Sequence, residues 1–195
     1  MTRTSPDRRI KRTQQSLHVA LNHLILEKGY EAITVKDVTD RANVGRSTFY
    51  AHHGSKEGLL LSGLQHLHAA LARASGAAAP IFGFSRLFFE HAQEYRNLFQ
   101  ALLKSESGPI VTRKIKHLLA DAVRRDLSKT TGEAPASDVP REAMVQFTVD
   151  ALFSILLWWF ERSPKLSPGE VDAIFRRLTL PGVARGMGES KFRTP

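Results

Sequence analysis

Arg46, Ser47, Thr48, Tyr50, His52 and Lys56 crowd donor groups into one short stretch. Arginine and serine can donate to base edges in the major groove of duplex DNA, while threonine, tyrosine and histidine can donate to phosphate oxygens. Lys56 falls in the first turn of an expected helix opened by Ser55, where the macrodipole disfavours a cation by roughly 0.3–1 kcal/mol. A phosphate bound there would be held by free N–H groups and the lysine together. The plainer alternative for each residue is an ordinary solvated surface.

Those side chains need two short helices to present them. Thr34-Val-Lys-Asp37 fits a capping box, which starts a helix from about Val35 to Ala42. Asn43-Val44-Gly45 makes a corner, because asparagine and glycine accept backbone angles that other residues resist. A two-turn helix then begins near Arg46. Ile33, Val38, Ala42, Val44, Phe49 and Leu59 can pack inward as a small core, which turns Arg46, Ser47, Thr48, Tyr50 and His52 outward. With a longer helix on either side, these are the parts of a helix-turn-helix unit.

The helical period continues through almost the whole chain, so the expected fold class is all-α. Ile10, Leu17, Leu21, Leu24 and Ile25 form the stripe of a first helix, Arg8 to Lys28, with Gly29 at its C-cap. Leu60, Leu64, Leu67 and Leu71 line a helix that Gly76–Pro80 interrupts. Further helices are expected over Ile81 to Gln93, over Tyr95 to Lys104 and from Pro109, before a polar, proline-bearing loop at 130–140. Arg141 to Arg162 is apolar nearly all round from Met144. Ser167-Pro-Gly-Glu170 is a second capping box, opening a helix to about Leu180, and a frayed tail is expected over 181–195. The expected domains are 1–54 for the helix-turn-helix unit and 55–195 for the rest, with 55–75 as a connecting helix.

Composition narrows the functions. There is no cysteine among the 195 residues, which removes disulfides, thiolate metal sites and a cysteine nucleophile. Lysine and arginine outnumber aspartate and glutamate by 28 to 19, a net charge of +9 that points towards a polyanion. The N-terminus lacks the apolar core of a signal peptide, and Met144 to Phe160 falls short of the ~18–20 residues of a bilayer span. A cytoplasmic location with no membrane partner is expected.

Other clusters have plainer explanations than chemistry. His52 and His53 with His66 or His68 could hold a metal, but adjacent histidines on a helix diverge by about 100°. Glu90, His91 and Glu94 could serve an acid–base pair, yet a solvated face accounts for them and no metal-binding or phosphate-binding motif accompanies them. No cofactor, metal or enzymatic activity is expected. Phe84, Phe88, Phe99, Phe153 and Trp158, beside Phe89 and Tyr95, either pack a core or line an apolar cavity for a lipophilic small-molecule effector. The aromatic excess Trp158, Trp159 and Phe160, ending an all-round apolar helix, favours a homodimer through 141–162 and 167–180.

"ITVKDVTDRANV", "STFYAHH" and "SKEGLL", in this order and spacing from Ile33 to Leu60, resemble the tetracycline-repressor (TetR) family of bacterial transcription regulators. "WWFERSPKLSPGEVDAIFRRL" is similar to the last two helices of many members. The resemblance implies a homodimer whose recognition helices enter successive major grooves of a palindromic operator, ~34 Å apart. It also implies a C-terminal half that dimerises and binds an effector. Recognition contacts would fall on Arg46, Ser47, Thr48, Tyr50 and His52, and phosphate contacts on Thr34 and Lys56. The sequence departs from the family pattern at Gly45, where a serine cap is usual, at His53, where an aromatic is usual, and at Gly58, which is expected to loosen the turn that carries it. The alternative function is an effector-independent architectural DNA binder.

Overall fold

Thr34 sets the first boundary that matters. Its hydroxyl accepts from the Asp37 N–H at 3.2 Å while the Asp37 carboxylate takes the Thr34 N–H at 2.7 Å, so two orphan donors are satisfied reciprocally. Ser167 and Glu170 repeat the device at the other end of the chain. The computed structural model describes residues 6–75, 79–129, 139–162 and 165–187. Within them are α1 (Pro6–Lys28), α2 (Val35–Ala42), α3 (Arg46–His53), α4 (Lys56–Ala74), α5 (Phe84–Glu94), α6 (Arg96–Leu103), α7 (Gly108–Ser128), α8 (Arg141–Arg162) and α9 (Pro168–Gly186). No strand occurs among the described residues. The fold is all-α, and most of the expected 130–140 loop lies outside them.

The chain forms two compact units. The first takes in residues up to His66 together with Asn97–Lys114; the second takes Leu67–Arg96 and the chain from Ile115 onward. In the first, α1, α2 and α3 close on a core of Leu17, Leu21, Ile25, Ile33, Val38, Phe49 and Leu59, with Ala42 and Val44 packed against it. That is the inward set expected from the pattern. Gly29 ends α1 at φ +77°, and Asn43 turns the corner at φ 53°, both in the left-handed region. Ile10 departs from the expected stripe. It is 43% exposed, because the buried face of α1 starts only at Leu17.

The second unit is built on aromatic rings. Phe82 and Phe89 lie 6.1 and 6.3 Å from Phe175, and Phe89 meets Trp159 edge-on at 6.1 Å. Trp159 donates its ring N–H to the Leu166 carbonyl at 3.0 Å. Trp159 and Phe160 are buried, so of the expected exposed trio only Trp158 faces outward. The 22-residue α8 is long and apolar enough to cross a membrane, but half of its most apolar window is buried within the unit, as in a core helix of a soluble protein. α9 also runs past the expected end. Pro181 lacks an N–H and stands exposed inside it, yet the helix continues to Gly186 because Val183 and Ala184 are buried. Residues 188–195 of the expected tail lie outside the described residues.

Phe82 is the one strained point of this unit. It is buried with φ 55°, a conformation costly for an aromatic residue. Its N–H donates at 2.7 Å to the wholly buried carboxylate of Asp126, whose other oxygen takes Lys129 at 2.6 Å. Asp126→Ala should strand both donors and destabilise the protein by about 3 kcal/mol in urea unfolding. Asp126→Asn, which can still accept from Phe82, should cost clearly less.

Candidate nucleic-acid interface

α3 is two turns long and has no side-chain N-cap. Gly45 occupies that position, so the N–H groups of Arg46, Ser47 and Thr48 have no partner among the described residues. Phe49, buried at 0% exposure, anchors the helix. Opposite that anchor, Arg46, Ser47 and Tyr50 are exposed, Tyr50 by 55%, while Thr48 and His52 are half-buried at the flanks. Positions 46 and 50, and 47 and 50, are one turn apart, so the three share a face. An arginine, a serine, a tyrosine and three unclaimed N–H groups make that face donor-rich.

The surrounding acids do not cancel it. Asp37 pairs with Lys28 at 2.9 Å, Asp40 with Lys36 at 2.6 Å, and Glu27 takes both terminal nitrogens of Arg41 at 2.7 and 2.6 Å. Lys28, with Thr34, holds the Asp37 carboxyl far below the usual carboxylate range, so it stays ionised and stays paired. Arg46 has no carboxylate partner among the described residues.

Thr34 and Lys56 are placed differently from the exposed residues of α3. Thr34 spends its N–H and its hydroxyl proton on Asp37, both at 2.7 Å, and so offers no spare donor to a phosphate. The Lys56 ammonium donates to the carbonyls of Tyr30 and Ile33, both at 2.8 Å, and lies 4.2 Å above the Tyr30 ring. Those acceptors, rather than a bound anion, explain a cation in the first turn of α4. Burial lowers the lysine's affinity for a proton, and Tyr30's own burial, with Glu57 and Glu31 nearby, pushes its hydroxyl up to about 12. One ammonium proton remains for an external partner.

Gly58 does the opposite of loosening its turn. A Cβ there would lie 2.2 Å from the His53 carbonyl oxygen, so only glycine lets the end of α3 close on the first turn of α4. Sequence reasoning missed this because the clash depends on an approach between elements. His53 itself fills the aromatic place. The Ser62 hydroxyl donates to the Leu59 carbonyl at 2.7 Å, which leaves it to accept from His18 Nε2 at 2.8 Å and His53 Nδ1 at 3.3 Å. His53 Nε2 is then a buried lone pair without a partner.

The remaining clusters are not gathered into sites. Glu90 pairs with Arg86 at 2.9 Å and His91 stacks on Tyr95 at 4.7 Å. Among the described residues no group of three or more His, Asp or Glu could hold a metal ion. Of the expected effector residues, Phe84, Phe88 and Phe153 are buried in the second unit, Phe99 belongs to the first, and Trp158 is 39% exposed.

A model of the tetR family of bacterial regulatory proteins matches residues 18–62, and a transcriptional-regulator C-terminal model matches residues 81–180. The chain belongs to the tetR family. It is therefore a DNA-binding transcription regulator and not an enzyme. A solved TetR regulator from Streptococcus agalactiae 2603V is 26% identical, with a TM-score of 0.64 over 89% of this chain and 96% of that one. The dihydroxyacetone kinase operon activator DhaS, 20% identical with a TM-score of 0.66 over 88% and 96% of the two chains, shares the fold. An uncharacterised helix-turn-helix regulator of Bacillus subtilis (strain 168), YxbF, is 42% identical over 60 residues; the match spans 30% of this chain and only 16% of that protein.

In this tetR-family chain, His53 gives the helix-turn-helix unit a pH dependence. Burial, with His52 adding repulsion, depresses its proton affinity below the ordinary value of 6.5, and the neighbouring ring from α1 is another imidazole, His18, at 5.7 Å. The unfolded chain takes up this proton first as the pH falls, so stability present above about pH 6.5 is lost as the pH drops towards the lower folded value. The urea midpoint should fall between pH 7 and 5.5. His53→Phe should flatten that fall and leave the midpoint at pH 7 unchanged or higher.

Proposed function

We propose that the protein is a sequence-specific operator binder that acts as a homodimer and represses the promoter it occupies. One observation carries this reading: a donor-rich α3 face, anchored by Phe49, whose Arg46 has no carboxylate partner among the described residues. On that face Arg46 and Ser47 read base edges, and Tyr50, Thr48 and His52 hold phosphates. Lys56 contributes its one remaining proton to the backbone. Repression needs only occupancy of a promoter, whereas activation also needs a surface for polymerase. DhaS, described as an operon activator, has the same fold, so the fold does not decide the direction.

Dimerisation is supported by α8 and α9. Phe147 and Trp158 stand 53% and 39% exposed on α8, with Ala151 and Ser154 between them at helical spacing, and Leu178 is 67% exposed on α9. A monomer seldom leaves such a seam wet, and small residues between aromatic ones let a second copy approach closely. An effector is supported by three side chains of the second unit with polar atoms buried without partners among the described residues: Ser75 Oγ, Thr179 Oγ1 and the Nε and Nη2 of Arg125. An apolar molecule with an acidic head suits this mixture of aromatic core and unpaired guanidinium better than a purely lipophilic one. It would lower operator occupancy only by its differential affinity for a non-binding conformation.

Selection of duplexes from random sequence should return a palindrome with half-sites about 34 Å apart. Arg46→Ala should relax discrimination at one or two positions, costing ~1–3 kcal/mol there, while Tyr50→Phe should weaken all sequences alike. Equal losses on operator and random DNA for Arg46→Ala would remove its base-reading role. Phe147→Glu with Leu178→Glu should give a monomer by light scattering at micromolar concentration and abolish the preference for paired half-sites. Thermal shifts with medium-chain carboxylates, against the matching alkylamines as controls, test the effector.

A further inference from the structure

The first turns of α1 lie outside any core. From Arg8 to Ser16 no residue is buried, and Leu17 is the first that is. Pro6–Ser16 therefore projects as about 16 Å of helix held only by the part that follows. Arg8, Arg9 and Arg12 are exposed on it, with no carboxylate partner among the described residues.

Alone, this placement of charge is unfavourable. The macrodipole disfavours cations in the first turns of a helix. Arg8 and Arg12 are four residues apart and Arg9 and Arg12 three apart, so they also repel one another. No burial offsets either cost. The Thr13 and Ser16 hydroxyls bond back to the Arg9 and Arg12 carbonyls, both at 3.0 Å, which occupies these hydroxyls locally and leaves the cations as the outward chemistry.

The position of these turns points to their partner. The His18 ring lies 5.7 Å from that of His53, the last residue of α3, so α1 passes the C-terminal end of the recognition helix there. Arg12 is six residues earlier, about 9 Å along the axis, within reach of the strand beside a groove about 12 Å wide. A membrane surface fits less well, since Ile10 is the only apolar residue from Arg8 to Ser16 and an interfacial helix needs a broad apolar face.

We propose that Arg8, Arg9 and Arg12 form a second, sequence-independent DNA contact, neutralising backbone phosphates beside the groove that α3 enters. The inference rests on the operator-binding reading of α3. The test uses the full chain and the duplex it selects from random sequence, comparing wild type with R8Q/R9Q/R12Q across 50–200 mM salt. Each phosphate neutralised contributes about 0.9 to the slope of log affinity against log salt, so the triple variant should lose about 2.7 of that slope. Over this range wild-type affinity should then fall about forty-fold more than the variant's. The order of preferred sequences should not change and the thermal midpoint should stay level or rise, because no base contact and no burial is lost while the repulsion among the three cations is relieved.

An unchanged slope with sequence preference intact would overturn the proposal and leave the α3 reading standing. A wild type that prefers no duplex would take down both. Binding to phosphatidylglycerol vesicles that the triple variant loses, with its DNA slope unchanged, would assign these turns to a membrane and overturn the DNA contact.

Discussion

The α3 face proposed to meet DNA depends on the burial of one ring. A helix of eight residues makes too few internal hydrogen bonds to persist alone, and α3 lacks even a side-chain cap to help it. Phe49 supplies what the backbone cannot. Its full burial is worth about 1.5–3 kcal/mol relative to exposure, and it leaves α3 with a single way to face outward. The tight passage at Gly58 and the left-handed Asn43 then fix both ends of a helix whose position, not its own stability, is the functional quantity.

The electrostatics of the first unit follow from that constraint. Exposed ion pairs such as Lys36–Asp40 and Arg41–Glu27 add little stability, with a median near 0–1 kcal/mol for surface pairs. Their consequence is local neutrality. By holding Glu27, Asp37 and Asp40 against cations of α1 and α2, these pairs leave none of the three carboxylates free for Arg46. Lys56 plays a related part from inside, since its two carbonyl contacts tie the first turn of α4 to the segment between α1 and α2. The same side chain can brace the unit and still offer one proton outward.

Much of this was legible in the sequence because it is local. Both capping boxes, the corner at Asn43 to Gly45, the limits of α2, α3 and α8, and the inward set from Ile33 to Leu59 are short-range patterns with one good solution. What failed was set by contacts between elements. The carbonyl acceptors of Lys56 went unforeseen because they lie 23 and 26 residues away. Gly58 read as slack because the clash it avoids belongs to α3. Ile10 kept the helical period but has nothing to pack against, and Pro181 read as a stop because the burial of Val183 and Ala184 is not visible from propensity.

The two units also answer differently to a ligand. The second is held by interlocking rings and the pair that buried Asp126 makes with Lys129, so a molecule that enters it must displace packed aromatic surface or exploit atoms without partners among the described residues, such as Nε and Nη2 of Arg125. The first has a smaller core, a short uncapped helix and an imidazole left one partner short, which places it towards the easily opened end of the structure. DNA that binds only the ordered α3 stabilises that unit by mass action, in proportion to the logarithm of its concentration over Kd. On the proposed reading, an operator is then part of what keeps α3 in place. A change that weakens the seat of α3 without touching a single DNA contact would therefore read out as lost affinity.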